Sequence, residues 1–267
     1  MGWPPLRIVS WNVNSVRLRL DSLARLTSFW QPDVICLQEV KAEAKDFPFD
    51  EIRALGYREI HLRSMKSYNG VAILSRLALE KPAGRDWCGK QDCRHVVARL
   101  PGGIELHNFY VPAGGDVPDP ELSVKFAHKL EFLDETTRWF DEGRRNRRRM
   151  ILVGDLNVAP LETDVWSHKS LLKVVSHTPI EVEKLGRLQR AGKWVDAVRH
   201  FVPPSERLYS WWSYRAIDWS RSDRGRRLDH VWVTPSLVPA LAGAHILREA
   251  RGWMQASDHV PVIVDLA

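Results

Sequence analysis

Met150-Ile151-Leu152-Val153-Gly154-Asp155-Leu156-Asn157 is an apolar run that ends in an Asp-x-Asn pair. It reads as a buried strand that delivers polar chemistry at its exit. Strand side chains alternate with period two, so Asp155 and Asn157 share a face if the extended backbone persists that far. Taken alone, Asp and Asn after a strand more often make a turn. Recurrence of the pattern along the chain gives the pair its weight.

Working outward, further β-like runs cover Leu6–Ser10, Asp33–Leu37, Gly70–Leu74, Val96–Leu100, Ile104–Val111, Leu228–Val233 and Val260–Asp265. Amphipathic stretches lie between them. Leu20, Leu23, Ala24 and Thr27 space as a helix face that Pro32 stops, and Leu130, Leu133, Thr137 and Phe140 form another with Gly143 as its exit. Strands and helices mix throughout with no linker or repeat, which predicts one α/β domain over residues 1–267. The Gly- and Pro-rich stretch Ala113–Pro120 is expected to be a loop, either functional or mobile.

Lys and Arg outnumber Asp and Glu by 39 to 33, an excess that suits a polyanionic partner without demanding one. Arg144–Arg149 holds five arginines, which fits a solvated turn better than a phosphate grip. Three cysteines, Cys36, Cys88 and Cys93, are too few for a disulfide framework and lack zinc spacing, so a reducing cytoplasm is expected. Met1-Gly2-Trp3-Pro4-Pro5-Leu6 has no signal-like apolar core, and no run reaches membrane-spanning length.

The ends of the apolar runs are chemically rich. They read Ser10-Trp11-Asn12-Val13-Asn14, Leu37-Gln38-Glu39, Asn108-Phe109-Tyr110-Val111-Pro112, Gly154-Asp155-Leu156-Asn157 and Ser257-Asp258-His259. Acids, amides, a phenol and an imidazole of this kind suit Mg²⁺ or Mn²⁺ rather than zinc. A divalent ion beside a carboxylate base and a His is equipment for phosphoester hydrolysis.

Those segments, together with Val40-Lys41, Val158-Ala159-Pro160 and Arg227-Leu228-Asp229-His230, resemble the ordered motif set of the exonuclease III class of apurinic/apyrimidinic endonucleases. The similarity runs from about Leu6 to Asp265. It implies a four-layer, DNase I-like α/β sandwich of two packed mixed sheets flanked by helices. It also implies Mg²⁺-dependent cleavage of double-stranded DNA 5′ to an abasic site, with 3′-exonuclease and 3′-phosphatase activity, by a monomer.

On that resemblance Glu39 anchors the metal, with Asn12, Asp155, Asn157, Asp258 and His259 around it. A plainer partner for a buried Glu39 is Lys41 or an arginine, because an unpaired buried carboxylate would protonate. Asp155 is the expected general base, with Asn157 holding the attacking water and the developing charge. His259 is expected to donate to the scissile phosphate with its ring fixed by Asp229, and Tyr110 to contact the phosphate or help the leaving oxygen. Tyr110 is equally compatible with a packed core residue.

Lys41, Arg94 and Arg227 match basic positions expected to hold backbone phosphates. Tyr68 and Asn69 stand where the family has a DNA-contacting loop, although a β-turn fits them equally well. Trp211 is expected to wall a pocket for an extruded, baseless sugar, with Trp212 as its support and Leu228 completing the wall. Arg226 stands where some relatives place a tryptophan, and a guanidinium seals an apolar wall poorly, so looser abasic selectivity or a stronger exonuclease component is expected. Asn14 replaces an acid found in some relatives, which weakens a second metal site, and the loop from Ala113 to Lys125 fits a bacterial member better than the animal enzymes. Phosphoesterases acting on lipid headgroups, inositol phosphates or RNA tails share the acidic core, so the choice of DNA rests on the Tyr110 segment and the aromatic block. A silent DNA-binding module would not need the complete acid set.

Overall fold

The computed structural model describes residues 5–142 and 148–267. Within them are two mixed six-stranded sheets. The first runs, edge to edge, Leu241–Ile246, Val262–Leu266, Leu6–Asn12, Val34–Gln38, Val71–Ser75 and Glu59–Arg63. The second runs Glu80–Ala83, His95–Leu100, Ile104–Tyr110, Met150–Asp155, Asp229–Val233 and Val195–Asp196. Each sheet has a single parallel pair at its middle, Leu6–Asn12 beside Val34–Gln38 and Ile104–Tyr110 beside Met150–Asp155. Within each pair both strands therefore end on the same edge of the sheet.

Alternation sorts the side chains into layers. Ile8, Val34, Cys36 and Ile73 of the first sheet meet Val96, Leu106, Ile151, Val153 and Val231 of the second in the gap between the sheets. The intervening residues face outward, Val9, Ile35 and Leu74 against Leu23 and Leu26, and Phe109, Leu152 and Trp232 against Phe132, Leu133 and Leu185. Both faces of these central strands are covered, which is why they read as nearly unbroken apolar runs. The result is the expected four-layer sandwich.

All eight sequence-read strands are present with shifts of one or two residues, and the expected helices span Leu20–Trp30 and Val124–Glu142. The foreseen exit at Gly143 and most of the run Arg144–Arg149 lie outside the described residues, as does the segment Met1–Pro4. Among the described residues no helix is long and apolar enough to cross a membrane.

Gly154 sets how closely the two central strands of the second sheet approach. Its φ is +144°, and a Cβ there would stand 1.9 Å from the Phe109 carbonyl oxygen. Gly154→Ala should therefore cost at least about 2 kcal/mol of stability. Urea denaturation checks this, and an unchanged midpoint would mean that the strands part without penalty.

Candidate active site

At one end of the gap the inward row changes from apolar to polar. Ser10, Asn12, Gln38, Asn108, Tyr110, Asp155 and Asp229 are all buried there. Buried polar groups need partners, and these find them across the two sheets. Gln38 Nε2 donates to Asn108 Oδ1 at 2.7 Å, while Asn108 Nδ2 donates to the carbonyls of Leu37 and Ala72 at 3.0 and 2.9 Å. One step nearer solvent, Asn12 Nδ2 donates to both Glu39 Oε1 and Asp155 Oδ2 at 2.9 Å, and the Tyr110 hydroxyl donates to Glu39 Oε1 at 2.8 Å.

The Met150–Asp155 strand stops at Asp155, and Asn157 is left-handed with φ of 54°. The pair therefore does not share a strand face. A tight turn brings it together instead, the Asn157 backbone N–H donating to Asp155 Oδ1 at 2.9 Å and its Nδ2 to Asp155 Oδ2 at 3.2 Å. His259 comes in from the segment before Val262–Leu266. Its Nδ1 lies 2.8 Å from Asp229 Oδ2, and its Nε2 lies 3.6 Å from Asp155 Oδ2. The Ser210 hydroxyl also donates to Asp229 Oδ2, at 2.6 Å.

These contacts fix the charges. Burial pushes the Asp155 carboxyl up, His259 pulls against that shift and Asp229 adds to it. Burial disfavours a charged His259, but Asp229 and then Asp155 outweigh it and raise the imidazole above its ordinary value. Tyr110 is held neutral by burial and by the facing Glu39 carboxylate. Burial would raise Glu39, yet Lys41 and the Asn12 amide leave it below the ordinary value.

The donor set fits a hard divalent cation in part. Glu39 and Asp258 carry carboxylates on the solvent side, and Asp229 Oδ1 is buried without a hydrogen-bond partner. Ligand atoms of Asp155, Asp229 and His259 lie within 4.8 Å of one another. Three residues of the expected ligand set are also tied to their neighbours. Asn12 accepts from the Asn14 backbone N–H through its oxygen and turns its amide nitrogen to the carboxylates, so its nitrogen bridges the two acids. His259 lies between the carboxylates of Asp229 and Asp155, 2.8 and 3.6 Å away. Asn157 commits its amide nitrogen to Asp155 and to the Val111 carbonyl, 2.9 Å away, so that nitrogen does not face the developing charge.

The plainer reading of Glu39 is realised, since Lys41 Nζ lies 2.7 Å from Glu39 Oε2 and donates to Asn14 Oδ1 at 2.6 Å. Asn14 Nδ2 in turn donates to Asp258 Oδ1 at 3.0 Å, and Trp211 Nε1 to Asp258 Oδ2 at 3.0 Å. Arg94 pairs with Asp92 and lies 4.9 Å from the Tyr110 ring centroid, so it braces that ring. Tyr68 is exposed, and Asn69 donates to the Asp92 carbonyl at 3.0 Å. Trp212 is buried, and its Nε1 donates to Asp223 Oδ1 at 2.9 Å. Trp211, Arg226, Leu228 and Asn157 line one cavity of about 980 Å³.

Arg227 must be corrected. Its side chain is 1% exposed, with Nε 2.8 Å from Asp164 and Nη1 2.6 Å from Asp196. No phosphate of a DNA strand can reach a guanidinium so enclosed.

Two functional supports were missed from the sequence, Lys129 and Glu181, both with fully buried side chains. Lys129 Nζ pairs with Glu181 and donates to the main-chain carbonyls of Asn157 at 2.8 Å and Ala113 at 3.2 Å. Glu181 accepts the backbone N–H groups of Ser176 and Thr178 at 2.9 and 3.1 Å. The available signals were a lone lysine on the apolar face holding Phe126, Leu130 and Leu133, and a Thr178-x-x-Glu181 capping box.

The model of the endonuclease/exonuclease/phosphatase family matches residues 9–259. The exodeoxyribonuclease III of Haemophilus influenzae is 27% identical over 271 residues, covering 96% of this chain and 98% of its own length. The DNA repair nuclease APEX1 of Danio rerio is 29% identical, covering 98% of this chain and 82% of its own. An AP endonuclease from Archaeoglobus fulgidus superposes with a TM-score of 0.90 at 30% identity, over 97% of this chain and 98% of that one. A 3′ phosphatase from Neisseria, bound to product DNA hairpin, gives 0.89 at 27% identity over 98% and 99%.

Arg227 joins Asp164, which also pairs with Arg199, to Asp196, so Arg227→Met should destabilise the fold by about 3 kcal/mol by leaving Asp196 without its closest cation. Chemical denaturation reads this, and a loss of DNA affinity at unchanged stability would restore the phosphate contact.

Proposed function

The chain belongs to the endonuclease/exonuclease/phosphatase family, in its exonuclease III class, and from that premise we propose a Mg²⁺-dependent DNA repair phosphodiesterase. It cleaves double-stranded DNA 5′ to abasic sites and works from 3′ ends as exonuclease and phosphatase, acting as a single-domain cytoplasmic monomer. The observation that carries this reading is the adjacency of two features. A buried Asp155–His259–Asp229 cluster stands beside Glu39 and Asn12, and Asn157 of the same cluster lines the cavity walled by Trp211 and Leu228.

In this mechanism Asp155 removes a proton from the attacking water. Burial and Asp229 raise its affinity for that proton, which suits a general base. Asn157 fixes the carboxylate through its backbone N–H and side-chain amide, so the base is held rather than free to rotate. His259, charged and aligned by Asp229, donates from Nε2 to a phosphate oxygen as negative charge grows there. The neutral Tyr110 hydroxyl, now donating to Glu39, can turn its proton toward the leaving 3′ oxygen. Glu39 and Asp258 would hold Mg²⁺ or Mn²⁺, which supplies neutralisation of a phosphate oxygen when bound. Trp211 and Leu228 give the extruded sugar an apolar wall, with Trp212 behind, while Tyr68 and Asn69 meet the duplex. Rapid hydrolysis of a small phosphomonoester without preference for abasic duplex would overturn the choice of substrate.

Asp155→Asn should retain binding of abasic duplex while losing about two to four orders of magnitude in turnover. Single-turnover cleavage beside an equilibrium binding assay separates the two, and near-normal turnover would remove Asp155 as the base. Glu39→Ala should move the midpoint of the Mg²⁺ titration upward roughly ten-fold or more. An unchanged titration would show that Glu39 holds no metal.

A further inference from the structure

Arg226 is a half-buried cation with no carboxylate of its own. Its Nη1 donates to neutral acceptors, the Val175 carbonyl at 3.0 Å and Ser176 Oγ at 2.8 Å. Its Nε is buried without any acceptor, and among the described residues no acid forms an ion pair with it. Glu181, the acid that acts on it electrostatically, is already neutralised by Lys129. A half-buried guanidinium without a counter-charge favours an anion within reach, and the cavity that Arg226 lines gives one access.

The position of Arg226 says which anion. Trp211 bridges His259 on one side and pairs with Arg226 on the other, so the order across the site is His259, Trp211, Arg226. Two strand spacings separate the backbones of His259 and Arg226, about 10 Å, with the Trp211 indole between them. The Arg226 guanidinium carbon lies 5.2 Å from that ring centroid. Arg221 and Arg224 line the same cavity, Arg224 stacked 4.8 Å from the Trp166 ring centroid. With the scissile phosphate at His259 and the extruded sugar against Trp211, the next phosphate along the strand falls toward Arg226.

We propose that Arg226 binds the phosphate on the 3′ side of the extruded residue and so determines specificity for a residue still joined to DNA on that side. This rests on the reading of the site as a DNA phosphodiesterase. The position where some relatives place a tryptophan is then an anion clamp, with Trp211 as its platform. An internal baseless residue supplies that phosphate, and a 3′-terminal residue with a free hydroxyl does not.

The test neutralises one phosphate. Two duplexes carry the same internal tetrahydrofuran residue, one with a natural phosphate 3′ to it and one with an uncharged methylphosphonate. Their binding is followed by fluorescence anisotropy in EDTA. For the unaltered protein the methylphosphonate should weaken binding roughly ten-fold and reduce the slope of log K against log salt by about one. Arg226→Gln should bind the natural duplex about that much more weakly and lose the response to the methylphosphonate, while Arg226→Lys should keep it.

Equal binding of both duplexes by the unaltered protein, which needs no variant to fold, would overturn the proposal. So would an undiminished response in Arg226→Gln. With Mg²⁺ present, Arg226→Gln should also lower the ratio of internal to 3′-terminal cleavage roughly ten-fold, whereas an equal loss on both would mark Arg226 as mere wall. If the unaltered protein cleaves neither substrate the phosphodiesterase reading fails, and the binding arms still decide whether Arg226 holds a phosphate.

Discussion

One amide stands between two acids from different sheets. Asn12, at the end of the central strand of the first sheet, donates to Glu39 and to Asp155, and the site depends on that bridge. Without it two carboxylates would face each other across a dry gap, and one would take up a proton. The bridge is available because the inward row turns polar at the same level in both sheets, from Ser10 and Gln38 on one side to Asn108 and Asp155 on the other. Alternation sets that level, since a slip of one residue in either central strand would turn the whole row outward.

Around the bridge, charge is balanced locally. The positive charge of His259 answers Asp155 and Asp229, Lys41 answers Glu39, and Arg227 answers Asp164 and Asp196. Arg226, like Arg19 and Arg251, has neutral acceptors instead of an acid, and it stands at the cavity. Buried pairs of this type add little stability over apolar packing, but each punishes removal of one partner. Their value here is orientation.

Much of this was legible in the sequence, for physical reasons that also explain the failures. Central strands covered on both faces announce themselves as apolar runs, their polar exits pointed to Glu39, Tyr110 and Asp155, and the polar entry to the last strand pointed to His259. Edge strands such as Glu59–Arg63, Glu80–Ala83 and Leu241–Ile246 are exposed or half-buried, and gave no pattern to read. Arg227 was misread because a sequence shows a charge but not the acids folded against it. The Asn12 bridge was not foreseen, because residue type does not say which end of an amide faces inward. Lys129 and Glu181 are 52 residues apart, and only the docking of two helices makes them a pair.

That pair has a consequence for cooperativity. The Lys129 ammonium holds the carbonyls of Asn157 and Ala113, and its partner Glu181 holds Ser176 and Thr178. None of these loops can lift away alone without leaving a buried charge or carbonyl unanswered, so their opening is tied to undocking of the helices that carry Lys129 and Glu181. Loops that carry chemistry are usually the softest part of a protein, free to unfold locally. Here they are joined to its most deeply buried charges, and their local stability approaches that of the helical layer itself.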